Sequence, residues 1–209
     1  MTQQNPTALL SDMLSQSLVI MSKPSVATFE RFERRGTTQQ ALIYVGAAAL
    51  ISGLVSLLRQ GFGGLILSFL VGIVGFLIFT FLVYFIGKSQ GGTGTQDEVF
   101  YTFSLFQAPI LVISAALSLV GWLFGFIPVL GFLVGIVVFL AGLLVWVLSV
   151  YYGYIAVQSS HNFKTQQQQS QALVTLIGAA IAAFVVNLIL VSILGSILLA
   201  GVVAGSAFR

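Results

Sequence analysis

Five long apolar runs, at about residues 41–58, 65–86, 101–124, 132–157 and 172–204, carry no Asp, Glu, His, Lys or Arg away from their ends. A run of about 20 such residues crosses ~30 Å of hydrocarbon as a helix rising 1.5 Å per residue. Lipid offers the backbone no hydrogen-bond partners, so each run must satisfy its own peptide groups as a helix. Hydrophobic residues make up 58% of the chain and charged residues 6%, far too little polar surface to clothe a soluble domain. The fold class is therefore all-α: a polytopic integral membrane helical bundle with five transmembrane helices.

The connections constrain how the helices meet. Gln60, Gly61, Gly63 and Gly64 make a very short turn after Arg59, and Gly125-Phe126-Ile127-Pro128 forces the fourth run back beside the third. Gln158 to Gln171, with four consecutive glutamines, reads as a soft polar loop. The last run exceeds one crossing, so it must tilt, kink near Gly195 or continue past the bilayer. Small residues should mark the helix seams, at Gly64, Ser68 and Gly72, at Gly121, Gly125, Gly131 and Gly135, at Ala179 and Ala183, and at Gly201 and Gly205.

Residues 1–38 form a separate N-terminal region of amphipathic, interfacial helices. Leu9, Leu10, Met13, Leu14, Leu18 and Met21 share one side of a helix, with Ser11, Asp12, Ser15 and Gln16 opposite. After Pro24 a second short helix groups Val26, Phe29 and Phe32 against Glu30, Arg31, Glu33, Arg34 and Arg35. Both can lie in the interface plane, with Arg31, Arg34 and Arg35 as lipid-headgroup contacts, or pack against the ends of the spans. No basic-then-apolar leader precedes the first run, which is expected to act as an uncleaved insertion signal.

Five crossings put the termini on opposite sides. Lys23, Arg31, Arg34, Arg35, Lys88 and Lys164 fall on the N-terminal side, Arg59 and Arg209 on the other, so the N-terminus is expected in the cytosol. All six tyrosines fall towards span ends on that same side. The few basic residues cluster at the ends of apolar runs, which reads as topology and gives no nucleic-acid surface.

The chemistry available is narrow. There is no cysteine, and His161, the single histidine, is expected to be an exposed loop residue. Gly87-Lys88-Ser89 lacks the upstream glycine of a phosphate loop, since Leu82 stands there, and it follows a helix where the motif needs a strand. No catalytic group, metal site or cofactor is expected. Two polar features lie inside the spans. Pro109 frees the carbonyl near Leu105, and Gln107 and Asn187 need amide partners that lipid does not supply. Outside them, Lys88 to Pro109 is the polar interruption on which the chain turns, with glycines 91, 92 and 94 ending one helix and Asp97 and Glu98 opening the next.

The order of these features resembles the Yip family of Ypt/Rab-interacting membrane proteins, in its compact bacterial form. The likeness rests on a proline and Phe29 before a basic stretch, Ala41-Leu42-Ile43-Tyr44 opening the first span, Gly91-Gly92 then Glu98 after the second, and Ala108-Pro109 within the third. The eukaryotic Asp-Leu-Tyr-Gly-Pro motif and long cytosolic arm are missing, which argues against a Rab-type GTPase partner. The resemblance implies a five-helix membrane domain over residues 39–209 and a non-enzymatic protein of a bacterial cytoplasmic membrane. It implies a role in organising membranes and partners, and it marks Gly91, Gly92, Glu98 and Pro109 as family-pattern positions. The function expected is a scaffold or adaptor with a cytosolic face, touching lipid headgroups and protein partners or a second copy of itself; Gly91, Gly92, Asp97 and Glu98 would be its interaction loop. The alternative is a small transporter or channel acting through an oligomer, with Gln107 and Asn187 lining a polar path.

Overall fold

A computed structural model describes the backbone of residues 5–207 and the side chains of residues 5–193, 195 and 196. Gly201, Gly205 and Arg209, invoked above for a seam and for topology, lie outside these described side chains. The described chain is all-helical: α1 (Pro6–Ser22), α2 (Val26–Glu30), α3 (Thr38–Ser89), α4 (Gln96–Phe124), α5 (Pro128–Ser160) and α6 (Gln166–Ala207). Four helices are long and apolar enough to cross a membrane, namely α3 to α5 and the Gln166–Ile193 part of α6.

The longest of these, α3, is broken at Gly61, whose φ of 72° and ψ of −165° are reached readily only without a side chain. Its two arms, residues 38–60 and 62–89, turn back on each other. A Cβ on Gly72 would stand 3.0 Å from that of Ala49, and one on Gly53 would stand 3.1 Å from the Leu65 carbonyl. Residue 49 therefore faces 72, and 53 faces 65, as in an antiparallel helical hairpin. Backbones approach this closely only over small residues, the packing that lipid leaves available.

The first turns of α4 form the centre of the molecule, with Val99, Phe100, Tyr101, Phe103, Leu105 and Phe106 all buried. Rings interlock around them: Phe76 with Phe100 at 5.9 Å, Phe79 with Phe103 at 5.6 Å, and Phe106 with both Phe29 (6.3 Å) and Tyr152 (6.0 Å). The first three of these ring pairs are edge-to-face and Phe106–Tyr152 is tilted; edge-to-face pairs contribute about 0.5–1.5 kcal/mol each beyond area burial. At the other extreme, the apolar middle of α5 is exposed through Val137, Phe139, Leu140 and Trp146, a surface suited to lipid or another copy.

Three sequence expectations are corrected. Gln158 to Gln171 is no long loop, because α5 continues to Ser160 and α6 starts at Gln166, leaving only residues 161–165 between them. Gln16 does not face away from the bundle; α1 buries Leu9, Met13, Gln16, Ser17 and Ile20 while Leu14 and Leu18 stand exposed. Glu33 is not on an outer polar face. The α2 helix stops at Glu30, the following turn rotates Glu33 inward, and its side chain is only 4% exposed.

Candidate functional site

The candidate site is the polar cap that α1, α2, the 90–95 turn and the 161–165 turn build over one end of the bundle. Its hydrogen bonds join residues far apart in the chain. Tyr101 Oη donates to Gln16 Oε1 (3.1 Å), Tyr152 Oη to the Met21 carbonyl (3.0 Å), and Ser17 and Tyr44 share a hydroxyl contact of 3.0 Å. These bonds dock α1 onto the ends of α3, α4 and α5.

The stretch around Gly91 is held by its glycines. Gly91 has φ 88°. A Cβ on Gly92 or Gly87 would strike the His161 ring, and one on Gly94 would strike the Ser160 carbonyl. The Thr93 N–H donates to the His161 carbonyl (3.2 Å), and Asn162 Nδ2 donates to Thr93 Oγ1 (3.0 Å). Thr95 then caps α4 in a reciprocal box with Glu98: the Glu98 N–H donates to Thr95 Oγ1 (3.2 Å) and the Thr95 N–H to Glu98 Oε2 (2.7 Å).

Both acids of this stretch also reach across to the region before α3. Asp97 Oδ1 accepts from the N–H (2.7 Å) and hydroxyl (2.6 Å) of Thr38, satisfying a free donor at the start of α3. The second oxygen of Glu98 pairs with Arg34 Nε at 3.0 Å. Arg34 also lies 3.7 Å from Glu33, whose other oxygen accepts from Ser159 Oγ at 2.6 Å. Burial pushes the Glu33 carboxyl above its ordinary range, against the pull of the Ser159 hydroxyl and Arg34. Arg31 and Arg35 flank the Phe32 ring at 5.6 and 5.3 Å, which holds both guanidinium groups at the surface.

His161 departs most from the sequence reading. It is 1% exposed, it stacks on Phe163 at 5.6 Å, and its buried Nε2 has no hydrogen-bond partner among the described residues. Burial holds its pKa below the usual imidazole value, partly offset by the nearby Tyr84 and Val157 backbone. No group of three or more His, Asp or Glu side chains suited to a metal ion occurs among the described residues.

Inside the bundle, Gln107 and Asn187 line one cleft of about 480 Å³ between α3, α4 and α6, together with Phe76, Phe79 and Phe184. Asn187 Nδ2 donates to the Ala183 carbonyl of its own helix (2.8 Å), and its buried Oδ1 faces Gly75 without a hydrogen-bond partner. Pro109 lies apart from them, in a second cleft of about 380 Å³ with Leu10, Leu14 and Tyr44.

A family model described as the Yip1 domain matches residues 18–188, most of the chain. The chain belongs to the Yip1 domain family. It is accordingly a multi-pass integral membrane protein, from a family of non-enzymatic membrane proteins whose members in general interact with Rab GTPases. Neither the curated proteins nor the solved structures gave a match.

The Yip1 match runs from within α1 to one residue past Asn187, so it spans both the cap and the intramembrane cleft. Gly91, Gly92, Asp97, Glu98 and Arg34 meet in the cap, Arg31 and Arg35 edge it, and Gln107 and Asn187 meet in the cleft. Sequence reasoning missed Thr38, Thr95, Ser159 and His161. Two of its signals were nonetheless visible, since Thr37…Gln40 and Thr95…Glu98 have capping-box spacing and both boxes form.

Proposed function

We propose that this Yip1-domain protein is a non-enzymatic membrane scaffold whose cap, on the cytosolic side, gathers anionic lipid headgroups and acidic protein segments. The observation that carries this is the division of charge. Each of the five acidic residues has an internal partner: Asp12 with Gln16, Glu30 with Lys164, Glu33 with Ser159, Asp97 with Thr38 and Glu98 with Arg34. Lys23, Arg31, Arg35 and Lys88 remain exposed around the same cap. Glu30 and Glu98 are paired with basic residues and Glu33 is buried, so the six basic residues of the cap outnumber its two exposed acids, Asp12 and Asp97. Each basic side chain near an anionic membrane contributes about 1 kcal/mol of attraction.

In this reading the α3 hairpin makes two crossings, α4, α5 and α6 make one each, and the excess of basic residues at the cap keeps it in the cytosol of a bacterial cell. Residues 1–38 and 39–209 are then cap segment and membrane domain. Asp97 and Glu98 hold the interaction loop in shape, and its outward surface is Gly91, Thr93 and Lys88. The test uses full-length protein in discs of neutral lipid, mixed with vesicles containing anionic phospholipid. The protein should co-sediment with the vesicles in low salt, release in high salt, and fail to bind once Arg31, Arg34 and Arg35 are all glutamine. Equal binding by the triple variant would remove the headgroup role.

One observation favours a second reading. Gln107 and Asn187 open onto the same cleft, as a transport path through an oligomer would require. Solute uptake into sealed proteoliposomes, abolished by Asn187→Leu, would select it over the scaffold.

A further inference from the structure

A second polar cleft, of about 300 Å³, opens at the end of the bundle opposite the cap, and neither reading above uses it. Its lining includes Arg59 and five serines, Ser52, Ser56, Ser68, Ser114 and Ser118. They come from three helical segments: residues 52, 56 and 59 follow i, i+4, i+7 on the first arm of α3, Ser68 lies on the second arm, and 114 and 118 lie one turn apart on α4. Ser52 Oγ donates to the Leu111 carbonyl at 3.3 Å, which fixes the register of the first arm against α4. Counting from that contact, Ser118 lies level with Arg59 at the mouth, and Ser114 lies one turn deeper, level with Ser56. The Arg59 Nε is buried without a hydrogen-bond partner among the described residues. An unpartnered guanidinium N–H in a hydroxyl-lined cleft costs free energy unless an oxyanion meets it.

The inner end of this cleft is apolar and shared. Val71, Gly72 and Leu111 line both it and the cleft that runs on past Phe76, Phe79 and Phe184 to Gln107. From Ser118 to Gln107, α4 rises about 16 Å at 1.5 Å per residue, roughly half of the ~30 Å hydrocarbon thickness. The adjoining clefts thus place one positive charge and hydroxyls at an interface, beside an apolar cleft that reaches as deep as one leaflet. We propose that they hold a single phospholipid, with its phosphodiester on Arg59 and the serine hydroxyls and an acyl chain lying along Val71 and Leu111. The charge balances, because one guanidinium matches the single negative charge of a phosphodiester. Ser118 Oγ now donates to the Ala115 carbonyl (2.8 Å) and would turn its proton towards the phosphate.

Native mass spectrometry of the full-length protein in neutral detergent, with dioleoyl phosphatidylglycerol added, tests this. The wild-type protein should retain one lipid, Arg59→Gln should lower retention about tenfold, as expected for loss of a charge-assisted hydrogen bond, and Arg59→Lys should keep most of it. Val71→Phe, which narrows the waist between the clefts without touching Arg59, should lower retention of the dioleoyl lipid and spare a short-chain dihexanoyl analogue. Inorganic phosphate in large excess should not displace the lipid. Undiminished retention by Arg59→Gln, equal retention of both lipids by Val71→Phe, or displacement by phosphate would each overturn the assignment.

Discussion

The two ends of this bundle differ in how far their polar side chains tie the chain together. At the cap, Gly87, Gly92 and Gly94 have no room for a Cβ, and polar side chains are tied across long stretches of sequence. At the far end the glycines are mixed: Gly61 and Gly63 meet nothing within 4 Å, whereas a Cβ on Gly64 or Gly131 would strike Gln60 or the Phe124 carbonyl, and Phe62 (69%), Phe126 (74%) and Val129 (76%) are largely exposed. Both ends face water, but only the cap carries the N-terminal segment and the 90–95 and 161–165 turns that bury apolar groups and satisfy polar ones in a single arrangement. Between the two ends the lipid-facing helices are held by close backbone approach.

The sharpest way to break this comparison is with alanine at matched glycines. Gly94→Ala drives a methyl into the Ser160 carbonyl, so the cap should lose more than ~2 kcal/mol, the scale of an overpacked core. Gly135→Ala meets empty space in the middle of a helix and should be neutral or slightly stabilising. Thermal unfolding in one detergent compares the two directly, and equal losses would erase the distinction. Next in size, Ser159→Ala removes the hydroxyl that donates to the buried Glu33 carboxylate and should cost about 1–3 kcal/mol. Glu33→Gln in the same background should recover part of that loss.

A smaller effect concerns pH, where two cap groups oppose each other. His161 has a lowered folded pKa, so its contribution to stability is present above 6.5 and is lost as pH falls from there towards the folded value. Glu33 has a raised folded pKa, so it adds stability as pH falls through that value, a gain complete below 4.5. As pH falls from neutral the two contributions therefore have opposite signs, with Asp97, whose pKa the Thr38 hydrogen bonds hold down, adding a further loss below 3.8. In unfolding measured across this range, the decrease due to His161 should vanish in His161→Gln and the increase due to Glu33 in Glu33→Gln. The smallest expected loss is in Thr95→Ala, at about 1 kcal/mol for a lost N-cap.

Much of the far end was legible in the sequence. Uninterrupted apolar runs mark the helices, and a glycine cluster after Arg59 marks the break that Gly61 makes in α3. The cap was less legible because its geometry is tertiary. Glu33 has the spacing of an outer helical residue, and only the end of α2 at Glu30 turns it inward. His161 sits in a polar stretch, yet α5 carries it to the place that Gly87 and Gly92 leave open on α3 and the turn beyond it. The Arg59 cleft lies between these cases. The serine spacing can be read along each helix, but the pairing of Ser52 with Leu111 across helices cannot.

That the cap and the far end lie on opposite sides of a membrane, with α3 crossing and returning, is tested most directly by single-cysteine labelling. The chain has no cysteine of its own, so each introduced thiol reports alone. Cysteines at Ser22, Gln90 and Gln166 should react with a membrane-impermeant reagent from one face of sealed vesicles, and cysteines at Phe62 and Phe126 only from the other. Labelling of Phe62→Cys from the same face as Gln90→Cys would contradict the account, because the two arms of α3 could not then be a membrane-crossing hairpin.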